Sequence, residues 1–294
     1  MLGFALPQFG QSARDDLAHF AATAEQLGAA GLWVGDRLLA PVNPAIGYPG
    51  TDAIPQQFRT SLDPFVTLAV AAVVTSTAKL GSSLLVAPWY PPVQLGRQLT
   101  SIDVVSRGRL IVGLGIGWSP DEYQAAAASF SRRGAQLDEQ LDALEALWTS
   151  TPVKHEGARW SVPPSWVDLK PVQRPHPPIY LGAFTPAGLS RVGRRADGWL
   201  AAVRVPGGVH LAALSAQRQA IEAAATAAGR DPGSISTNVR VNVAHGTAVD
   251  EVADAVRRLA DNGYTDVFVD LMYVVTGADA MLDWVQRLLA ASAR

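Results

Sequence analysis

The segment 107–122, RGRLIVGLGIGWSPDE, constrains the fold of this chain more than any other. Its apolar run 110–112 is typical of a short parallel strand that is buried on both faces. The glycines that follow remove side chains from alternate positions: Gly113, Gly115 and Gly117. Such a backbone allows a flat ligand to approach closely, or a helix to pack closely on the strand, and the pattern leaves both interpretations open.

A helix start comes directly after these glycines. Ser119 provides a hydroxyl for an N-cap, and Pro120 suits the first helical position. Asp121 and Glu122 place negative charge in the first turn, where the helix dipole favours it. The segment therefore predicts a strand that leads immediately into a helix.

Dinucleotide-binding Rossmann folds also join a strand to a helix through glycines, but their spacing is different. Their fingerprint is G-x-G-x-x-G, whereas the glycines here alternate and are followed by the bulky Trp118. The segment also lies in the middle of the chain and does not open a first βαβ unit. Both observations disfavour a Rossmann fold.

The composition excludes several classes of protein. A chain of 294 residues with 48% hydrophobic content can bury one large α/β core or two smaller ones. Its formal net charge of -2 provides no field to attract nucleic acid or an acidic membrane. The sequence has no cysteine, which excludes disulfides and thiolate chemistry, and its five histidines form no spaced metal-binding pair.

The N-terminal sequence MLGFALPQFG has neither the basic region nor the long apolar core of a signal peptide. No run of about 18 apolar residues is present to span a bilayer. We therefore expect a cytoplasmic protein that acts on a small molecule, with no nucleic-acid partner, no membrane partner and no metal.

Strands and helices alternate along the whole chain. The predicted strands are 2–6, 31–35, 79–86, the run that begins at Leu110, 178–182, 198–201, 237–244 and 265–271. The predicted helices are 12–27, 63–77, 91–106, 131–148, 186–195, 208–228, 249–262 and 278–290. Eight strands, each followed by a helix, predict the α/β class and a (β/α)8 TIM barrel in one domain, 1–294. A doubly wound open sheet remains an alternative, since a sequence does not show whether the first and last strands pair.

Two segments are long enough to cover the C-terminal face of such a barrel. They are 38–62 and 151–177, and the second contains a predicted hairpin at 153–160. We expect both to be inserted loops or lids over that face.

Several motifs in a fixed order resemble a known family. They are GLWVGDRLL, KLGSSLLVAP, SRGRLIVGLGIGWSPDEY, RRGAQLDEQLDALEALW, and PVQRPHPPIYLGAF followed by RRADGWL. Together they resemble the bacterial luciferase-like superfamily, and within it the coenzyme F420-dependent oxidoreductases. The resemblance extends to about Val203, and it implies a (β/α)8 barrel.

The resemblance also implies a deazaflavin site on the third strand. Members that use F420 have a bulge there with a non-prolyl cis peptide behind the ring, and the matching bond is Ser83-Leu84. It implies that Ser83, Leu84 and Val86 lie along one side of the ring, with Gly117 and Trp118 close by. FMN is the alternative cofactor.

The phosphate end of the cofactor is expected where a buried strand runs into a helix, at Gly182, Ala183, Phe184 and Thr185. Free amides of the first helical turn point toward an anion at such a junction. The family often has two glycines where this chain has Gly182 and Ala183. Thr185 is suited equally to capping the helix and to binding phosphate.

The catalytic residues depart from the family pattern. Related dehydrogenases have Asp-His where this chain has Asp36 and Arg37, and an arginine holds an anion or stabilises negative charge but does not shuttle protons. Sugar-phosphate dehydrogenases of the family have a catalytic glutamate at the position that Trp118 occupies in this chain. Glu122 is either its replacement or, as we favour, a residue that serves the helix dipole.

These features predict an F420-dependent oxidoreductase that moves a hydride between C5 of the deazaflavin and an organic, hydrophobic or flat substrate. Arg37 is expected to hold or polarise the substrate, and Asp36 to orient Arg37 or the ring edge. Two alternatives remain: an FMN-dependent luciferase-like monooxygenase, and a non-catalytic flavin or deazaflavin binder. Many members of the family are homodimers, so a homodimer is possible here as well.

Overall fold

Eight parallel strand positions close into a barrel in this computed structural model, which describes residues 1–49 and 52–292. The strands, including a two-stranded hairpin outside the barrel, are β1 Leu2–Ala5, β2 Gly31–Val34, β3 Lys79–Ser82, β4 Leu85–Val86, β5 Leu110–Gly115, β6 Val153–Glu156, β7 Ser161–Ser165, β8 Ile179–Gly182, β9 Gly198–Val205, β10 Ser236–Val243 and β11 Asp266–Asp270. Strands β3 and β4 are two parts of one barrel strand, and both pair with β5. Pairing of β1 with β11 closes the barrel, so the predicted (β/α)8 fold is confirmed and the open-sheet alternative is wrong.

Helices connect the strands on the outside. They are α1 Leu17–Leu27, α2 Pro64–Val74, α3 Pro92–Val105, α4 Pro120–Ala125, α5 Arg133–Thr149, α6 Pro186–Arg195, α7 Leu211–Ala227, α8 Val249–Asp261 and α9 Ala278–Ser292. Local sequence explains several starts, because Asp63 accepts the amides of Phe65 and Val66 at 2.9 Å each, and Ser119 caps α4 as predicted.

Apolar side chains form two clusters, one between the strands and the surrounding helices and one inside the barrel. Outward-facing residues such as Val239 and Val241 join the large core between strands and helices. Trp33, Leu200 and Phe268 form a smaller cluster inside, where the rings of Trp33 and Phe268 stack with centroids 4.8 Å apart. The interior is therefore filled by side chains, as in other TIM barrels, and a ligand has to bind at an end.

The alternating glycines of β5 serve close packing. A Cβ on Gly113 would lie 1.7 Å from the carbonyl oxygen of Ser82, and one on Gly115 would lie 2.6 Å from Leu84 Cδ1. The idea that these two glycines leave bare backbone for a ligand is therefore wrong, because protein atoms already occupy the space. Gly117 has a φ of +59°, a conformation that L side chains rarely adopt.

The segment 38–62 joins the end of β2 to the start of α2 and so begins at the C-terminal end of the barrel. Two of its residues, Gly50 and Thr51, lie outside the described residues, as do Ala293 and Arg294 at the end of the predicted domain. Phe58 is buried, and Tyr48 packs edge-on against it with centroids 5.3 Å apart. The segment therefore forms part of the surface at the barrel mouth.

The segment 151–177 has its two ends away from the face that it was expected to cover. It follows α5 and leads into β8, so both of its ends lie at the N-terminal end of the barrel. Asp103 of α3 accepts the amides of Val172 and Gln173 at 2.7 and 3.1 Å, and the hairpin β6–β7 packs along α5. A connection from helix to strand returns to the N-terminal end of the barrel. Arg159, between β6 and β7, nevertheless donates to the carbonyl oxygen of Pro88 at 3.1 Å, just beyond β4. The lid role of this segment stays a prediction.

Within the described ranges, none of the helices combines the length and the apolar character needed to cross a membrane. Among the same residues, no three His, Cys, Asp or Glu side chains are grouped in a way that could hold a metal ion.

Candidate active site

The C-terminal ends of the barrel strands surround the candidate site, which is where TIM-barrel enzymes place their chemistry. The third barrel strand is interrupted there, between β3 and β4, at Ser83 and Leu84. The peptide bond between these two residues is cis, as predicted from the resemblance. The amide of Ser83 donates to the carbonyl oxygen of Val34 at 2.7 Å, which fixes the start of the bulge against β2.

Asp36 holds the far side of this bulge. Its carboxylate accepts the amide of Val86 at 2.9 Å and the hydroxyl of Tyr90 at 3.0 Å. The side chain is buried, and burial raises the pKa of Asp36 to about 6, although both hydrogen bonds act to lower it. Asp36 thus positions the strand that carries the bulge.

The predicted cofactor residues of three strands meet at the bulge. Leu84 occupies the space above Gly115 and Gly182, where added Cβ atoms would lie 2.6 and 2.2 Å from its methyl groups. Val86 packs in the same way on Gly117, at 3.0 Å from such an atom. The structure therefore brings Leu84 together with Gly182, and Val86 with Gly117.

The predicted phosphate end lies at the start of α6. Thr185 Oγ1 accepts the amide of Gly188 at 3.3 Å, so in this structure Thr185 caps the helix. Ala183 is buried and its carbonyl accepts the indole N–H of Trp199 at 3.0 Å, whereas the side chain of Phe184 is 58% exposed. The amide of Ala187, also in the first turn, has no partner within the helix and is available to an anion.

Arg37 has a carboxylate partner that neither sequence interpretation of Glu122 included. Arg37 Nε donates to Glu122 Oε1 at 3.1 Å, and a terminal guanidinium nitrogen pairs with the second oxygen. Glu122 is fully buried and also accepts the amide of Leu38 at 2.9 Å. The neighbouring Asp121 accepts the amide of Ala45 at 3.0 Å, so two acidic residues of α4 hold the segment 38–62.

Aromatic rings enclose the Arg37 guanidinium. Its central carbon lies 4.7 Å from the ring centroid of Trp118 and 5.1 Å from that of Phe58. Tyr48 packs edge-on against Trp118 with centroids 5.5 Å apart. Burial lowers the pKa of Arg37 to about 10, which leaves it protonated at neutral pH. The predicted catalytic role of Arg37 stays a prediction.

A second ion pair at the mouth, Arg240 with Asp270, was missed from the sequence. Arg240 pairs with the Asp270 carboxylate and donates to the carbonyl oxygen of Ser83 at 3.1 Å. Burial acts to lower the pKa of Arg240, but the charge and hydrogen bond of Asp270, together with Tyr48 and Tyr273, outweigh burial and raise the pKa. The Nε of Arg240 is buried and has no hydrogen-bond partner among the described residues.

A sequence signal for this pair exists. Asn238, Arg240 and Asn242 alternate with valines in β10, and polar residues at alternate positions of a barrel strand point to its interior. Tyr273, which follows β11, carried no such signal. Its buried hydroxyl faces Tyr48 and makes no hydrogen bond of good geometry within the described part of the chain.

Gln8 ties together the two ends of the segment 38–62. Its side-chain amide nitrogen donates to the carbonyl oxygens of Gly35 and Leu62 at 3.0 and 2.8 Å. Its amide oxygen accepts the N–H of Gly35 at 2.7 Å. Beside Gln8, a cavity of about 10 Å³ borders Ser83, Arg240 and Asp270 and has room for about one water molecule.

Comparison with known proteins gives a family match over most of the chain. The sequence model of the family described as luciferase-like monooxygenase matches residues 2–290. An uncharacterised protein of Mycobacterium tuberculosis is 32% identical over 273 residues, which cover 91% of this chain and 90% of the relative.

A relative with a named activity is the phthiodiolone/phenolphthiodiolone dimycocerosates ketoreductase of Mycobacterium tuberculosis. It is 29% identical over 241 residues, which cover 80% of this chain and 62% of that protein. Among solved structures, an F420-dependent secondary alcohol dehydrogenase in complex with an F420-acetone adduct superposes with a TM-score of 0.78. Its identity is 14%, and the alignment covers 99% of this chain and 98% of that one. Proteins of this fold include both F420-dependent reductases and monooxygenases that bind FMN.

Proposed function

This chain belongs to the luciferase-like monooxygenase family, and from its site we propose that it is an F420-dependent oxidoreductase. The proposed reaction moves a hydride between C5 of the deazaflavin and a neutral, apolar ketone or the corresponding secondary alcohol. The observation that carries the proposal is the meeting of the bulge residues with the glycines of β5 and β8 at the barrel mouth. Leu84 packs on Gly182 and Val86 packs on Gly117 there.

The residues present fit a flat cofactor with a phosphate-bearing chain. The bulge is held from two sides, by Asp36 through the Val86 amide and by Arg240 through the Ser83 carbonyl. A surface fixed in this way supports a planar ring without rearranging when the ring binds. The first turn of α6 supplies amides for the phosphate, with Thr185 as the cap.

When bound, F420 would donate or accept the hydride at C5, and the protein's part is to position the reactants and exclude water. We assign Asp36 to holding the ring-side strand. We assign the pair Arg37–Glu122 to holding the segment 38–62 over the mouth, since Glu122 binds both the guanidinium and the amide of Leu38. The buried carboxylate neutralises Arg37, which makes the arginine a weak site for an anionic substrate.

The charge balance of the mouth favours an uncharged substrate. Arg37 is paired with Glu122 and Arg240 with Asp270, and aromatic rings line the space beside the first pair. A phosphorylated or carboxylated substrate would lack a free cation among these groups. The ketoreductase relative and the secondary alcohol dehydrogenase neighbour both interconvert carbonyl and alcohol by name, which supports that substrate class.

Titration of the purified protein with F420, FMN and FAD tests the cofactor assignment directly. We expect F420 to bind more tightly than FMN, and reduced F420 to be oxidised by a hydrophobic ketone at equal rates with and without dioxygen. Micromolar FMN binding without detectable F420 binding would contradict the assignment. Tight F420 binding without turnover over a broad ketone panel would instead indicate a non-catalytic binder.

An FMN-dependent monooxygenase is the second candidate function. It is favoured by the 30% identity over 131 residues to the oxygenase component of the flavin-dependent trigonelline monooxygenase of Acinetobacter baylyi. That alignment covers 44% of this chain and 36% of the relative. The two candidates are separated by dioxygen, because only the monooxygenase consumes it during substrate turnover.

A further inference from the structure

We propose that Tyr273 is a catalytic residue whose hydroxyl donates a hydrogen bond and then a proton to the substrate oxygen. This inference rests on the proposed ketone and alcohol chemistry, and it assigns the acid that the missing Asp-His histidine leaves open. The residue follows β11, so it stands at the C-terminal end of the barrel, where the bulge also lies.

The Tyr273 hydroxyl is buried at the mouth, where it faces Tyr48 but makes no hydrogen bond of good geometry among the described residues. An unsatisfied buried hydroxyl costs free energy in a folded protein, and a catalytic role is one of the few explanations for such a group. Tyr273 lies on a short turn after Asp270, in which the amide of Val274 donates to the carbonyl oxygen of Leu271 at 3.0 Å. The turn holds the ring in place before a substrate arrives.

The three buried carboxylates at the mouth are already engaged. Glu122 binds Arg37, Asp270 binds Arg240, and Asp36 binds Val86 and Tyr90. Tyr48 also faces Tyr273, but it belongs to the long segment 38–62 and packs on Trp118 and Phe58. Tyr273 is therefore the donor that the barrel itself offers to a substrate at this point.

The charges around the hydroxyl suit a proton donor. Arg37 and Arg240 face it as cations, while Asp270 and Tyr48 face it as groups that oppose ionisation. Burial, together with Tyr48 and Asp270, raises the pKa of Tyr273, so the phenol stays protonated throughout the neutral range. A neutral phenol donates its proton to a carbonyl oxygen, and this donation limits the negative charge that develops there.

The reduction balances in atoms and electrons. When bound, reduced F420 would supply the hydride to the carbonyl carbon. As the C=O π pair moves to oxygen, that oxygen takes the proton of the Tyr273 hydroxyl. The products are the secondary alcohol, oxidised F420 and a phenolate, which regains its proton from water. Oxidation of the alcohol follows the same path in reverse.

The test compares Tyr273→Phe with the parent enzyme loaded with F420. We expect kcat/KM for acetophenone reduction to fall by roughly 10² to 10³-fold, as for removal of one preorganised donor. Binding of acetophenone to the oxidised holoenzyme, measured by calorimetry, should weaken by about 3 to 10-fold, whereas binding of ethylbenzene should not change. A merely structural role would alter both ligands equally.

Tyr180→Phe is the matched control, because Tyr180 is a partly buried tyrosine inside the opposite end of the barrel. It should leave both readouts unchanged, and equal thermal midpoints of the two variants would show that both fold. Full activity of Tyr273→Phe, or a larger loss in Tyr48→Phe, would overturn the assignment. If the parent enzyme loaded with F420 reduces no ketone, this result contradicts the proposed function. The assignment of Tyr273, which depends on that function, is then contradicted as well.

Discussion

Glu122 receives both the guanidinium of Arg37 and the backbone amide of Leu38, although 85 residues separate it from Arg37 in the sequence. One buried carboxylate on α4 thus fixes the place where the segment 38–62 leaves the barrel. The pair is almost completely removed from solvent, with side-chain exposures of 9% for Arg37 and 0% for Glu122. Loss of this ion pair should lower the free energy of unfolding and loosen the segment 38–62 over the mouth.

We expect Glu122→Gln to lower the free energy of unfolding by about 3 kcal/mol, because it leaves a buried guanidinium without a counter-charge. The double variant Arg37→Met with Glu122→Gln should recover part of this loss. Urea denaturation of the two single variants and the double variant measures the coupling. The exposed pair Arg287 and Asp283 is the control, and removal of Asp283 there should change stability by less than about 0.5 kcal/mol. A coupling near zero for Arg37 and Glu122 would contradict the structural role.

Asp36 should give the protein an unusual pH dependence. Its folded pKa, about 6, lies above the ordinary value of 3.8, so the native state binds more protons than the unfolded state between these values. The contribution of Asp36 to the free energy of unfolding is therefore greatest below about pH 4. It falls by on the order of 3 kcal/mol as the pH rises to about 6. The variant Asp36→Asn has no ionisable side chain at this position and should therefore lack this pH dependence.

The measurement for Asp36 is the difference in unfolding free energy between Asp36→Asn and the parent at a series of pH values from 4 to 7. The difference should shift in favour of the variant as the pH rises, since only the parent has to ionise a buried carboxyl. A difference that is constant with pH would show that Asp36 keeps an ordinary pKa.

Glu25 should give the opposite dependence. Burial acts to raise its pKa, but the amides of Ala78, Thr77 and Ser76 outweigh burial and lower it to about 2. Stability from this group is therefore present above about pH 4.5 and lost as the pH falls toward 2. Glu25→Gln should be less stable than the parent at pH 7 by about 1 kcal/mol, well below what the full pKa shift would give because solvent screens this partly exposed carboxylate, and the gap should close in acid.

Unfolding in urea at pH 7 and near pH 3 measures the Glu25 effect. Glu145→Gln is its control, because Glu145 is exposed on α5. Equal losses for the two variants, or a gap that widens in acid, would contradict the role of Glu25 as an acceptor for the start of β3.

Gly182→Ala should displace Leu84. The added methyl would lie 2.2 Å from Leu84 Cδ2, and overpacking of this kind costs about 1 to 3 kcal/mol. Leu84→Ala in the same chain should relieve the clash and restore most of the lost stability. Under the proposed function, F420 should bind more weakly to Gly182→Ala than to the parent.

The control for Gly182 is Gly134→Ala in the first turn of α5, where the nearest atom to the added methyl is the flexible end of Arg191 at 3.4 Å. This variant should match or slightly exceed the parent in thermal stability, since alanine is a better helix former than glycine. A thermal midpoint for Gly182→Ala equal to that of Gly134→Ala would show that Leu84 moves aside freely.

Local patterns were enough to predict the barrel. The apolar runs of the strands and the caps at Ser119 and Thr185 are signals within a few residues, and both the element order and these starts are confirmed. The ends of 151–177 could not be placed from the sequence, because length alone does not tell at which end of a barrel a connection lies. Its anchor, Asp103, lies about 70 residues away along the chain.

The site was less predictable, for a physical reason. The partners of Arg37 and Arg240 come from distant strands and helices, and a sequence does not show which carboxylate meets which guanidinium. The cis bond at Ser83 was expected only through the family resemblance. Tyr273 lies in a short turn without any pattern, so only the three-dimensional structure places its hydroxyl beside Tyr48.

Because Gln8 forms hydrogen bonds at both ends of the segment 38–62, this segment can be exchanged as a unit. Gly35 and Leu62 are clamped by the same side chain, and the amide of Leu62 also donates to the Gln8 carbonyl oxygen at 3.0 Å. Asp36 and Arg37 also lie between these two residues and have to stay. We expect that the part 39–61 can be lengthened, shortened or replaced with little shift of β2 or α2, because Gln8 sets the geometry of both junctions. Evolution, or an engineer, can therefore change what reaches the mouth of this barrel while leaving its cofactor surface alone.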